Sequence, residues 1–420
     1  MILDTIRLVP LLATGGYVAT LTKIVRWVRD GWVAIGIALL LFGLLEGVLS
    51  LGVLIEDRLG QRQPSIPDWR VDADAYPDRS WVTKYYAEFR ASDGVRWWPY
   101  VYWRRHPYRG EYINVDRTGL RHMSVSTATG ADSSGSIKIF MFGGSALWGT
   151  GARDEFTIPS VLARELANHG IPAEVTNFGE SGYVSTQEVI ALLLRLQAGD
   201  IPDIVLFYDG VNDTYSAYQQ HAAGLPQNEF KRVSEFNLPS DFSRLRAMAL
   251  RSVTDSLATV QMLTSLLQRV GLPLGPRRQA LTELAADHPA GAAGVAAVYF
   301  GNVELVKALG EHYGFKHRFY WQPTIFQKTS LTGYEQSENR KANDFASFFR
   351  DAYAAVRQRR QTGAADSAFR DLSLVFADMR QPVFLDWVHI GEAGNEAIAR
   401  IMATDVVNLT SRHRVRHFSQ

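Results

Sequence analysis

Four short stretches carry residue types that together could transfer an acyl group. Ser145 follows Gly143-Gly144. Asn177-Phe178-Gly179-Glu180-Ser181-Gly182 comes next, then Gly210-Val211-Asn212-Asp213, and finally Asp386-Trp387-Val388-His389. A serine hydroxyl is a poor nucleophile until a base takes its proton. His389 is the candidate base. Asp386, three residues earlier, is close enough in a turn to bond the other ring nitrogen and fix its tautomer. The tetrahedral intermediate then needs hydrogen-bond donors for its oxyanion. The candidates are the backbone N–H of Ser145, the backbone N–H of Gly182 and the side-chain amide of Asn212. A glycine suits the second role because the backbone must approach the substrate closely. Taken singly, each has an ordinary reading: Ser145 or Asp386 as a helix cap, His389 as a core or surface histidine, Asn212-Asp213 as a tight turn. Their order along the chain is what argues for shared chemistry.

Such groups need strand ends to hold them. From residue 136 the pattern alternates strand and helix, which implies an α/β fold. Residues 137–142 are apolar and β-prone, as a buried parallel strand requires, and stop at two glycines. A serine at the carboxyl end of a central strand sits where open α/β sheets place their chemistry. Further strands are expected at 173–177, 204–208, 317–322 and 372–376. Helices are expected at 158–168, 185–196, 303–312, 344–358 and 391–406. Residues 215–299 interrupt this order. Their segment 241–270 reads as helical, either a lid or substrate-side wall or a structural helical pair.

The four stretches resemble blocks I, II, III and V of the SGNH, or GDSL, hydrolase family over residues 137–406. The resemblance implies a flavodoxin-like three-layer α/β/α fold with a small pocket open to solvent. It also implies Ser145 as nucleophile, Gly182 and Asn212 as oxyanion-hole partners, and Asp386 and His389 as the other triad members. One departure is visible: the aspartate of the Gly-Asp-Ser signature is Gly144 here. Family members include esterases, lipases, thioesterases, polysaccharide deacetylases and O-acyltransferases. The expectation is an ester hydrolase acting on O-acyl (acetyl) esters of an envelope carbohydrate. The alternatives are an O-acyltransferase using the same residues and a catalytically silent envelope assembly protein. No cofactor or metal is called for. No Gly-x-Ser-x-Gly elbow or His-Glu-x-x-His helix is present.

The chain has 420 residues, no cysteine and a net charge of +1. Disulfides, thiol nucleophiles and Cys-type zinc sites are excluded, and nothing in the bulk charge favours nucleic acid. Residues 33–55 form an apolar run that suffices to cross a hydrocarbon core of about 30 Å. Lys23, Arg26 and Arg29 precede it and Glu56 and Asp57 follow. The positive-inside rule then puts residues 1–32 in the cytoplasm or at the interface, and everything after the helix outside the inner membrane. Residues 56–80 read as a linker with three prolines. Residues 81–135 read as a small aromatic-rich β forepart with strands at 101–103 and 112–115, ending in a flexible Ser/Thr/Gly joint at 124–136. Its aromatics suit either a packing core or a sugar-stacking surface. The hydrolase domain then occupies residues 136–410.

Overall fold

The computed structural model describes residues 14–60, 68–123, 135–237, 290–361 and 368–417, with the single positions 246 and 257. The joint at 124–134 and nearly all of the expected helical segment 241–270 lie outside these residues. The chain divides into two units, residues 1–65 with 237–278, and residues 66–236 with 279–420.

In the first unit an unbroken helix runs Thr14–Gly60. Its stretch Thr20–Leu51 contains an 18-residue window with a mean hydropathy of 2.3 and has no buried side chains, so it is long and apolar enough to cross a membrane. The helix starts well before residue 33. Lys23, Arg26 and Arg29 are good helix formers, and no proline interrupts residues 11–63. A second apolar helix, Gly291–Tyr313, also has the length to span. It is a core helix: Tyr299, Phe300, Val303 and Val306 on it are all buried.

The second unit opens with residues that the sequence reads as a spacer. They are packed instead. Ala73, Ala75 and Tyr76 join Trp81, Tyr85, Tyr86, Ile113, Val115, Trp148 and Leu385 in one apolar cluster. The large rings outweigh the polar composition of the segment, because burying one aromatic side chain is worth roughly 1.5–3 kcal/mol. A helix at Val82–Ala91, not expected from the sequence, supplies Tyr85 and Tyr86. Two antiparallel hairpins follow, β1 (Val95–Trp98) with β2 (Tyr102–Arg105), and β3 (Tyr108–Arg109) with β4 (Asn114–Val115).

The main sheet has five parallel strands: β5 (Ile137–Gly143), β6 (Ala173–Asn177), β7 (Ile204–Asp209), β8 (Lys316–Trp321) and β9 (Phe369–Asp371). Their order is β6-β5-β7-β8-β9. The winding direction changes between β5 and β7, so a crevice opens at the carboxyl ends of those two strands. Side chains alternate across the sheet with period two. Phe140, Phe142, Val205, Phe207, Phe319 and Trp321 face helices Ser185–Gln197, Gly291–Tyr313 and Asn343–Gln361. Ile139, Met141, Leu206 and Tyr320 face helices Ile158–Asn168 and Glu392–His417. This is a three-layer α/β/α fold. The strand expected at 372–376 lies three residues earlier, at Phe369–Asp371. Leu372 and Phe376 are buried from a turn that follows it, and their apolar character mimicked a strand. The interruption expected at 215–299 is narrower than its sequence suggests. Helix Val211–Gln220 and the start of Gly291–Tyr313 both bury side chains in the domain core, among them Ala217, Val295 and Ala296.

Candidate active site

Strand β5 ends at Gly143, and Ser145 begins a one-turn helix, Ser145–Trp148. Asn212 stands in the first turn of helix Val211–Gln220, directly after β7. Asp386 and His389 lie in a tight loop closed by a hydrogen bond from the Leu385 N–H to the His389 carbonyl, 2.8 Å. Helix Gly333–Lys341 holds that loop from behind. Glu335 accepts the Val383 and Phe384 N–H groups and the buried Lys328 ammonium, while the Tyr334 hydroxyl donates to the Leu385 carbonyl. This helix was not expected, although its capping box, Thr332 with Glu335, is written in the sequence.

The structure brings Ser145, His389 and Asp386 into one hydrogen-bonded chain. His389 Nε2 lies 2.8 Å from Ser145 Oγ, and its Nδ1 lies 2.7 Å from Asp386 Oδ2. With Nδ1–H donating to the carboxylate, Nε2 accepts from the serine hydroxyl. The other oxygen of Asp386 accepts the N–H groups of Val388 and His389 at 2.9 and 2.7 Å. Burial alone would raise the Asp386 carboxyl. The His389 ring, its own backbone hydrogen bonds and the Arg70 guanidinium overcome that and hold it well below the usual carboxylate range.

Arg70 is a residue that sequence reasoning missed. It comes from the segment read as a linker. Its guanidinium forks onto Asp68 at 2.8 and 2.9 Å and reaches Asp386 Oδ2 at 3.5 Å. It is buried, and the rings of Trp69, Tyr86 and Phe89 lie within 5.2 Å of its guanidinium carbon. No local signal marks it, because the partner is more than three hundred residues away in sequence.

Gly182 has φ +79°, the left-handed region that favours glycine. The residues before it are pinned from β2. The Trp103 indole donates to the Ser181 carbonyl at 2.9 Å and Arg105 donates to the Ser181 hydroxyl at 2.7 Å. Arg105 also stacks on Trp148, 3.9 Å from the ring, and Arg121 lies 4.3 Å from the same ring. Among the described residues, neither the Ser145 nor the Gly182 N–H has a protein acceptor. Both are available to a bound oxyanion. The Asn212 amide donates one hydrogen to the Tyr183 carbonyl at 2.8 Å, which leaves its second hydrogen uncommitted and its plane fixed.

The position of Asn212 explains Gly144. A Cβ built on Gly144 would overlap the Asn212 amide nitrogen. The backbone there is extended and open to any residue, with φ −82°, so the requirement is space rather than conformation. Gly144→Ala should push the Asn212 amide away from its donor position. Loss of one oxyanion donor costs about 10²–10³ in turnover, so kcat on p-nitrophenyl acetate should fall by roughly a hundredfold with the protein still folded.

Behind Asn212 sit three buried carboxyl groups, Glu188, Asp209 and Asp213. Ser185 donates to Asp213 through its hydroxyl (2.5 Å) and its N–H (3.1 Å), and Tyr299 donates to Asp209 at 2.6 Å. Asp213 thus ties the helix after β7 to the helix after Gly182. Burial, then the mutual charge of the neighbours, pushes Glu188 well above the usual carboxylate range and Asp209 up to about 8. Unfolded, both groups ionise near pH ~4. The folded state therefore binds more protons between those limits. The stability this contributes is complete below about pH 4 and is lost as pH rises through 8. Asp209→Asn, which cannot ionise, should flatten the decline of Tm between about pH 5 and 9, measured by differential scanning calorimetry.

The family model described as GDSL-like lipase/acylhydrolase matches residues 139–402. No curated protein matches the chain by sequence. Among solved structures, an acetyl xylan esterase, AlAXEase, is 15% identical, with 64% of this chain and 100% of that chain covered and a TM-score of 0.35. An acetylxylan esterase from Geobacillus stearothermophilus is 14% identical, with 66% and 96% covered and a TM-score of 0.33. A GDSL-like lipase from Bacteroides thetaiotaomicron is 11% identical, with 67% and 94% covered and a TM-score of 0.33. The family match spans well over half of the chain, and the chain belongs to the GDSL-like lipase/acylhydrolase family of ester-hydrolysing enzymes.

Proposed function

We propose that the protein is a membrane-anchored serine ester hydrolase that removes O-acyl groups, acetyl above all, from a carbohydrate of the cell envelope. The observation that carries the reading is the unbroken hydrogen-bond chain from Ser145 through His389 to Asp386. Ser145 Oγ attacks the ester carbonyl as its proton passes to His389 Nε2. Asp386 holds the ring in the Nδ1–H tautomer and stabilises the imidazolium that forms. The Ser145 and Gly182 N–H groups and the Asn212 amide bind the oxyanion. His389 then returns the proton to the leaving alcohol. Water, deprotonated by the same imidazole, releases the acyl group from Ser145.

The span Thr20–Leu51 supports membrane anchorage, with residues after it on the outer side of the inner membrane as the basic residues Lys23, Arg26 and Arg29 suggest. An exposed aromatic hairpin beside Gly182 supports a carbohydrate alcohol. The test is covalent. A fluorophosphonate probe should label the full-length protein in detergent, and mass spectrometry should find the adduct on Ser145. Absence of labelling in protein with native near-UV circular dichroism would overturn the serine mechanism. Acyl transfer to an added glycan in preference to water would replace hydrolase by O-acyltransferase.

A further inference from the structure

A cavity of about 480 Å³ opens between hairpin β1–β2 and the segment Gln227–Arg232, and Gly182 forms part of its wall. That volume lies inside the roughly 300–1,000 Å³ range of small-molecule sites. The cavity also reaches the oxyanion side of the active site. Gln227, on its wall, donates to the Asn212 side-chain oxygen at 3.4 Å. A group seated here is therefore next to the reacting carbonyl.

Three features define what it would hold. The first is open aromatic surface. Trp97 is 66% exposed and Tyr102 lies beside it, ring centroids 5.4 Å apart and planes tilted by 36°. Open ring faces pair with the apolar C–H faces of pyranose sugars, and the side amides of Gln227 and Asn228 offer hydrogen bonds to hydroxyls. The second is preorganisation. Tyr100 and Tyr102 both have positive φ, 67° and 74°, which is strained for a bulky residue. The strain is held in place by the Tyr102 hydroxyl donating to Glu229 and the Trp103 indole donating to Ser181. The third is charge. The ten lining residues include two arginines, Arg96 and Arg232, and no aspartate or glutamate. Arg232 is shared with Glu229 at 3.3 Å just outside the lining. Among the described residues, Arg96 has no carboxylate partner; its guanidinium donates to the Arg117 carbonyl and lies 5.2 Å from the centre of the Trp98 ring.

We propose that this cavity is the alcohol-side subsite and that it selects an acylated saccharide bearing an anionic group, placed to meet Arg96. The proposal rests on the serine-hydrolase reading above and narrows its substrate. Stacking on Trp97 supplies affinity for the sugar ring, and the guanidinium supplies selection for charge. Neutral acetylated glycans fit the rings but leave Arg96 without an anion.

The test compares kcat/KM of the full-length enzyme on three substrates: an acetylated neutral oligosaccharide, an acetylated oligouronide and an acetylated oligosaccharide phosphate. The two anionic arms distinguish a carboxylate from a phosphate. The wild type should prefer one anionic substrate over the neutral one by roughly tenfold to a hundredfold, the scale of one charged hydrogen bond. Arg96→Gln should collapse that ratio, while Arg96→Lys should retain part of it. Trp97→Ala should lower kcat/KM on every saccharide about tenfold relative to p-nitrophenyl acetate. Raising salt should erode the preference in the wild type alone, which keeps the test open if a variant fails to fold. Equal rates on neutral and anionic saccharides, with Ser145-dependent hydrolysis of p-nitrophenyl acetate intact, would overturn the subsite and spare the mechanism. Hydrolysis of p-nitrophenyl acetate that is unchanged in Ser145→Ala would mean that the mechanism itself is wrong.

Discussion

Ser145→Ala and His389→Ala should each lower kcat on p-nitrophenyl acetate by roughly 10⁴–10⁶, and the double variant should be no worse than either single one. The size follows from the geometry. His389 Nε2 is 2.8 Å from Ser145 Oγ, so the proposed nucleophile and base would act as one unit. Removing either abolishes the activated alkoxide, and what is left is substrate binding and oxyanion stabilisation by the Gly182 N–H and Asn212. Such residues are strongly non-additive because they share a single transition state. Asp386→Asn should cost about 10⁴, the lower end of that range, since it permits the wrong histidine tautomer. The measurement is steady-state kinetics on folded protein, with a thermal melt for each variant. Single-variant losses that multiply in the double variant would mean that Ser145 and His389 act independently, and would sink the proposed relay.

The residues of the candidate site were more legible in the sequence than the segments that support them. Ser145, Gly182, Asn212, Asp386 and His389 stand in short motifs whose local order is informative, and the strands beneath them are continuous apolar runs with one structural solution. What the sequence did not reveal are contacts between distant segments. Arg70, Trp103 and Arg105 sit in a stretch whose composition suggests a spacer and a small aromatic-rich sheet, with nothing to name their partners. They instead touch Asp386 and Ser181. Composition cannot distinguish an aromatic cluster that packs from one that faces solvent. Here the same segment does both, with Tyr85 and Tyr86 fully buried and Trp97 open. Gly144 is a second example. In the sequence it is a lost signature residue; in three dimensions it is the space that the Asn212 amide occupies. The false strand at 372–376 has the reverse cause. Leu372 and Phe376 had the apolar character of a strand, but burial is equally served by a turn.

Arg70→Met should change both stability and the acid side of the rate profile, in a way that packing loss alone would not. Arg70 stands outside the family-matched segment, yet its guanidinium lies between Asp68 and Asp386. Both acids are nearly excluded from solvent. Burial works against the charge on Arg70, but Asp68, Tyr86 and Asp386 more than offset it and raise its pKa. Removing one partner of a buried ion pair costs about 3–5 kcal/mol, so Tm should fall by several degrees. The sign of the pH effect follows from linkage. Asp386 is held below the usual carboxylate range partly by Arg70. Without that cation it protonates at higher pH, and a protonated Asp386 cannot stabilise the imidazolium. Activity should therefore fail at higher pH on the acid side, while the alkaline side stays where it was. Arg70→Lys keeps the charge but not the fork onto Asp68, and should restore the acid limb more fully than the Tm. The measurement is kcat/KM against pH for all three proteins, below the melting range of the least stable. A lower Tm with an unmoved acid limb would show that Arg70 only packs the segment. A moved limb, rescued by lysine, would show that the chain preceding the hydrolase domain sets the charge of its triad aspartate.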